Sequence, residues 1–379
     1  MTNIKFDRIR PYLAYGLILF AFTGLPGCNS DSENDKIRIR WEGKVAEGVY
    51  VPRTLTHDLP DDSVGSLLKI KLVDSDPSFS ILGDYSEDTK AILFSPIVPF
   101  TRGLHYEVVL RNERIGTFTV PLADAADAPQ LLGMFPSQDT LPENLLKIYL
   151  RFSQPMREGK SDEHVFLVRG DSDTLRGAFL NLQPELWNED RTVLTLWLDP
   201  GRIKRDLQPN RLLGAPLQKN AHYHILVSNA WKDRLGTPLP KSYAKSFVTT
   251  VRDSLSPLPK NWKMVPPPGG TTQPFRVNFK ESLDYSLITE CLSVEDESGR
   301  VIKGKWQAGE EEKAGYFRPS ENWKAGKYVL RIRTVLEDLA GNNVNRPFDR
   351  DITDQNPDPR STAFVEVSFL IAHPTPPKQ

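Results

Sequence analysis

The chain has 379 residues with Lys+Arg 48 against Asp+Glu 49, so its length suits two or three domains and its net charge of −1 excludes the global basic field that gathers nucleic acid. Proline at 31 residues stands above the typical ~5 %, and with 9 % aromatics this favours a turn-rich, strand-built protein over a helical bundle. Two cysteines, Cys28 and Cys291, exclude a disulfide framework and an all-cysteine zinc site.

In chain order, Lys5, Arg8 and Arg10 precede the apolar run YLAYGLILFAF from Tyr12 to Phe22. A membrane span needs ~20 apolar residues, so this shorter run reads as the h-region of an export signal over 1–27. It ends in LPGC at 25–28, which resembles the lipobox of bacterial lipoproteins; Leu25 and Gly27 fit it and Pro26 departs from it. Cys28 is then the lipidation site, and NSDSENDK makes 28–36 a polar lipidated tether whose acids, Asp31, Glu33 and Asp35, resemble a surface-export signal. Cleavage removes three cations and Asp7, taking the net charge from −1 to −3. Cys291 is left as a lone thiol that reads as a small core hydrophobe.

Beyond the tether come short alternating runs: KIRIRW, LLKIKLV, YEVVL, LKIYLRF, TVLTLWL, YHILVS, FRVNF, YVLRIRT and AFVEVSFLI. In LKIYLRF and YVLRIRT alternate residues are apolar, the period of strands with one wet face. The fold class is therefore all-β.

The runs repeat at long range. Phe94, Pro96, Phe100, Gly103 and Tyr106 match Phe317, Pro319, Trp323, Gly326 and Tyr328 in spacing to within one residue. Tyr223 and Tyr328 each precede an aspartate by ten residues, Asp233 and Asp338, and each aspartate is followed three later by Gly236 or Gly341. Tyr106, Tyr223 and Tyr328 thus mark the core of three related units, the first the most divergent. Their size and turn rhythm fit β-sandwiches. The expected domains are 37–122, 129–252 with an insertion near 201–220, and 256–370, joined by short linkers at 119–129 and 251–262 and followed by an extended tail over 371–379.

LKIYLRFSQPM at 146–156, FRVNFKESLD at 275–284 and FRPSENWKAGKYVLRIRTVLEDLAGNNV at 317–344 resemble the bacterial Ig-like domains of surface-layer and secreted proteins. The resemblance covers roughly 129–370 and the first unit only through its second half. It implies three tandem Ig-like β-sandwich domains behind a lipoprotein signal peptide, built to space, present or bind, with no catalytic residues to carry over and no cofactor.

Candidate sites are sparse. No GxSxG motif occurs. His222 and His224 share one strand face, but without a third ligand they read as solvated, and His105 holds the same register before Tyr106. The Asp- and Asn-rich runs LEDLAGNNV and DRDITDQNPDPR offer calcium-type oxygens without an EF-hand pattern, so Asp338, Gly341 and Asn342 read as a hairpin turn and no metal is assigned. Glu310 to Lys313 read as a solvated loop. Trp306 and Trp323 follow the repeat and belong to packing, leaving Trp187 and Trp231 as sugar-stacking candidates.

The middle unit is enlarged: Pro200 to Tyr223 spans 23 residues where Pro319 to Tyr328 spans 9. Arg202, Lys204, Arg205 and Arg211 there form a candidate binding patch for an anionic glycan or partner surface. The competing reading folds Leu207, Leu212, Leu213 and Leu217 back onto a neighbour, with the arginines pairing to acids. The expected function is a non-enzymatic, lipid-anchored protein of the bacterial outer membrane or cell surface, binding an envelope protein or glycan. The alternative is a carbohydrate-binding accessory lipoprotein of a glycan-uptake system, followed by a hydrolase with an unrecognised site.

Overall fold

The computed structural model describes residues 36–373 except 58, 61, 62, 77 and 350–361. Cys28, the expected signal segment over 1–27 and most of the expected tether lie outside the described residues, as does the tail beyond 373.

Alternating burial builds the first unit: β1 Arg38–Glu42, β2 Val45–Pro52, β3 Leu68–Leu72, β4 Gly83–Glu87, β5 Ala91–Pro96, β6 His105–Leu110 and β7 Glu113–Thr119. They form two sheets ordered β1-β2-β5-β4 and β3-β6-β7. Lettered A to G along the chain, this is ABED facing CFG, the strand order of the constant-type immunoglobulin sandwich. The unit least like the others in sequence therefore carries a full seven-stranded Ig topology.

The second unit comprises β8 Leu131–Phe135, β9 Thr140–Pro142, β10 Lys147–Phe152, β11 Val165–Arg169, β12 Asp173–Thr174, β13 Leu186–Trp187, β14 Val193–Trp197, β15 His222–Val227 and β16 Tyr243–Thr250. Its sheets are β13-β14-β10-β8 and β12-β11-β15-β16-β9, the same plan with two short strands added. The added β9 pairs parallel to β16, with Val248 opposite Thr140. The third unit, β17 Lys263–Val265, β18 Phe275–Asn278, β19 Leu292–Asp296, β20 Gly304–Ala308, β21 Ala314–Pro319, β22 Gly326–Arg333 and β23 Phe364–Ile371, returns to β17-β18-β21-β20 facing β19-β22-β23.

Each sandwich encloses its own apolar core. Tyr106, Tyr223 and Tyr328 sit on the F strand of their units and are 4 %, 0 % and 5 % exposed. Each faces a phenylalanine directly across the F–G ladder, Phe118, Phe247 and Phe369, and stacks on it at centroid distances of 5.2, 5.4 and 5.7 Å. Burial obliges each phenol to find a partner. The Tyr106 and Tyr223 hydroxyls accept from the backbone N–H of Thr101 at 2.9 Å and of Gln218 at 2.8 Å, and Tyr328 donates to the Lys324 carbonyl at 3.0 Å. The phenol thereby ties the E–F connection to strand F, the arrangement called a tyrosine corner. Phe100 and Trp323, equivalent in the repeat, pack edge-on against Tyr106 and Tyr328 at 4.8 and 5.4 Å.

One expectation fails instructively. LKIYLRF has no wet face: β10 is buried on both sides, Lys147 to 9 % and Tyr149 to 4 % exposure. Its outward residues point into the third unit, which covers the sheet. The Glu310–Lys313 segment is solvated at Glu310 and Lys313 but not at Glu312, which is fully buried and accepts from the Ser137 N–H at 2.8 Å.

Tyr328→Ala should destabilise the third unit by ~3–5 kcal/mol, the cost of deleting a large core aromatic, whereas Tyr328→Phe should cost only ~1 kcal/mol for the lost hydrogen bond. Denaturant titration of both variants separates packing from tethering; equal losses would refute the assignment.

Candidate functional site

The four cations of the insertion do not converge. The segment folds as two short helices, Pro200–Ile203 and Gln208–Leu213, the first capped by Asp199, whose carboxylate accepts from the Gly201 N–H at 2.8 Å. Arg202 is turned inward on the loop, donating to the carbonyls of Gly214 at 2.9 Å and Gly177 at 3.0 Å. Lys204 lies 4.3 Å above the Phe348 ring, and Arg205 pairs with Asp349 at 3.0 Å, both on the third unit. Arg211 alone points out, 3.6 Å from the exposed Asp206. Ile203 and Leu217 enter the core of the second unit, while Leu212 and Leu213 are 73 % and 67 % exposed. The insertion is thus a clamp on the third unit with an apolar outer edge.

A buried polar seam also joins the second and third units. Lys147 on β10 reaches Asp284 at 3.0 Å and Glu337 at 2.7 Å, both in the third unit. Tyr149, two residues on and therefore on the same face, donates to the Asp284 carboxylate at 2.7 Å. Asp284 is held by its own work as a cap, accepting from Ser286 and Leu287 N–H groups at the start of the helix Tyr285–Glu290. Burial pulls the Lys147 ammonium down, but the two carboxylates outweigh it and hold the group above the usual lysine range. Burial and the Asp284 charge together push the Tyr149 phenol far up, so it stays a donor. Tyr285 completes the seam by stacking on Phe135 with centroids 3.8 Å apart.

Both joints use the same wedge. Asp233 and Asp338 each fold the start of the F–G connection of their unit into a compact lobe: Thr237 N–H donates to the Asp233 carboxylate at 2.7 Å, and Ala340 and Asn342 N–H groups to that of Asp338 at 2.8 and 2.9 Å. Gly236 and Gly341 follow at φ +102° and +81°. The preceding unit presses against these glycines so closely that a Cβ would lie 2.5 Å from Thr101 Cγ2 or 2.4 Å from Leu146 Cδ2. Backbone bonds complete each seat, Arg102 N–H to the Leu235 carbonyl at 2.8 Å and Leu146 N–H to the Leu339 carbonyl at 2.9 Å. The spacing of aspartate and glycine was visible in the sequence; that the turn is a docking lobe was not, because the receiving residues lie in another repeat.

Beside the second lobe, Asp253, Glu281 and Asp338 bring carboxylate oxygens within 4.8 Å of one another. Asp338 already accepts from Ala340, Asn342 N–H and the Asn342 amide, and calcium takes six to eight oxygens, so this donor set is not a built cation site. Burial, with the Asp253 charge adding to it, pushes Glu281 up to about 7. Burial raises Asp338 to about 7 as well, against the pull of its Asn342 bonds.

The remaining candidates are structural. His105 and His224 bond the hydroxyls of Thr119 and Ser246 across the F–G ladders of their units, each at 2.8 Å, so strand pairing occupies both rings. Trp231 is fully buried and Trp187 packs on it at 5.9 Å, which corrects their reading as sugar platforms. Of the seven tryptophans, all in described residues, Trp41 alone is exposed, and the Arg102 guanidinium lies over it. A cleft of ≈ 600 Å³ opens in the second unit between β11 and the 174–181 segment, lined by Phe166, Leu175, Phe179 and Leu180 with Asp162 and Arg176 at its lip.

No family model matches the chain. No curated protein matches it either. Among solved structures, an Escherichia coli alpha-2-macroglobulin fragment spanning domains MG0-NIE-MG1 is similar over 65 % of this chain and 72 % of that one, at 11 % identity and TM-score 0.23. Domains 1–6 of the surface layer protein SbsC are similar over 66 % of this chain and 26 % of that one, at 11 % identity and TM-score 0.24. Titin domains A168–A170 are similar over 72 % and 82 %, at 11 % identity and TM-score 0.21. Likeness at this level carries no functional argument, and the Ig-like assignment rests on the strand order of the three sandwiches.

Proposed function

We propose that the chain is a non-enzymatic, lipid-anchored protein of the bacterial envelope, a stiff three-unit spacer that holds a binding surface away from the membrane and meets an envelope protein or glycan there. The observation that carries the spacer reading is the sealing of both joints: a buried lysine paired across the seam and an F–G lobe locked under the preceding unit. Ordinary tandem domains move freely unless their interface is large and well filled. The anchor rests on the charged n-region, the short apolar run and LPGC ending at Cys28. Carbohydrate binding is the weaker reading, since stacking needs exposed indoles and only Trp41 offers one.

Cys28→Ala should leave the protein unprocessed or soluble on detergent phase partition, with wild type in the detergent phase. Wild-type protein recovered without acyl groups and beginning at another residue would refute the anchor. Stable attachment takes more than one acyl chain, so mass spectrometry of the N-terminal peptide should show several.

Stiffness has its own check. Lys147→Ala leaves the buried Asp284 and the half-buried Glu337 without their cation and should cost ~3–5 kcal/mol of joint stability. Small-angle scattering of the full chain should then show a broader distribution of dimensions than wild type. An unchanged profile would mean that the seam does not set the shape. Asp349→Ala, which releases Arg205 and Arg252 together, should lower the melting temperature while leaving any anion binding intact.

A further inference from the structure

The linker and the second lobe enclose a cleft of ≈ 530 Å³ whose walls include Asp253, Glu281, Ser282, Arg252, Lys313 and Leu339. Asp253 of the linker and Glu281 of the third unit line it, and the Asp338 carboxylate lies behind them, the three bringing oxygens within 4.8 Å of one another. Like charges at that range cannot all ionise in a partly buried site without repulsion that burial magnifies.

The charged groups facing the trio do not relieve it. Arg252 on the linker is turned to Asp349 at 3.0 Å, to the Ile203 carbonyl at 2.9 Å and to Glu143 of the second unit at 3.9 Å. Lys313 of the third unit pairs with Glu311. Lys147 of the second unit is taken by Asp284 and Glu337. What reaches the trio is neutral: the Asn342 amide bonds Asp338 at 2.8 Å, and Asn144 grips the Asp253 backbone through N–H and carbonyl at 2.9 and 2.7 Å.

These contacts also put the trio where it has leverage. Asp338 shapes the lobe that seats under Leu146, and the Asp253 carbonyl is shared by Asn144 of the second unit and Asn342 of the third. Any force between the carboxylates is therefore felt by the bonds that close the joint.

We infer that the joint between the second and third units is proton-sensitive: it closes when Glu281 and Asp338 hold protons beside Asp253 and loosens when both carry charge. The raised positions of Glu281 and Asp338, both at about 7, place the change near neutrality. The sign follows from linkage. In the folded chain these carboxyls keep protons that the unfolded chain has released, so their contribution is fully present below the ordinary carboxylate range of ~4 and is lost as pH rises through about 7.

The test is amide hydrogen exchange on the full chain at pH 5.5 and 8.5 in the presence of a chelator, corrected for intrinsic base catalysis and read at Leu146, Asn342 and, as a distant control, Val108. Protection at Leu146 and Asn342 should fall about tenfold from the lower to the higher pH while Val108 holds steady, since one pKa unit of linkage is a factor of ten. Glu281→Gln should flatten that dependence, and Asp253→Asn, which retains the backbone bonds to Asn144, should do the same if the first variant folds poorly. Equal protection at both pH values in wild type, or an undiminished pH dependence in both variants, overturns the inference.

Discussion

A lysine ammonium that folding removes from water must meet its counter-charges, and Lys147 meets them only on another unit. Nine-tenths buried, it has Asp284 and Glu337 as its acids, contributed by the cap of a helix and by the lobe of a hairpin. Removing one partner of such a set strands a charge at a cost of ~3–5 kcal/mol, although the intact pair adds little over a well-packed apolar contact. Its main effect is then on geometry. A slipped or rotated third unit would leave Lys147 and Tyr149 unpaired, so one docking pose is selected sharply over its neighbours.

The three sandwiches reach the same plan by different routes. The F-strand tyrosine, its phenylalanine across the ladder and the bond from the phenol to the E–F backbone recur in all three. Around that anchor the rest is free to diverge. The first unit closes its F–G hairpin with Arg111 and Asn112 at positive φ, a two-residue turn suited to strand twist, where the other two carry a docking lobe. The second accommodates the insertion between E and F because the Gln218 N–H still reaches Tyr223 after the detour.

Much of this was legible in the sequence, and the omissions have a common cause. Period-2 runs and the spacing around Tyr106, Tyr223 and Tyr328 are local patterns, and they led to strands, sandwiches and the turn at Asp338. The stacking partners Phe118, Phe247 and Phe369 leave no local signal, because their relation to the tyrosines lies across the sheet rather than along the chain. LKIYLRF looked half wet because lysine, tyrosine and arginine normally face water; tertiary cover from a unit more than a hundred residues away overrode that preference. The cations of the insertion looked like a surface patch for the same reason, since their partners Phe348 and Asp349 belong to the third unit.

The parallel pairing of β9 with β16 has a mechanical meaning. These strands lie near the entry and exit of the second unit and run the same way, so traction on the chain ends slides one along the other and loads their hydrogen bonds together rather than peeling them one by one. In the third unit β23 pairs antiparallel with β22, and the Gly269 N–H to Ala372 carbonyl bond of 3.0 Å is what ties its entry segment to its exit. Traction would therefore load the second sandwich in shear through this pair, a geometry absent from the described strand pairs of the third.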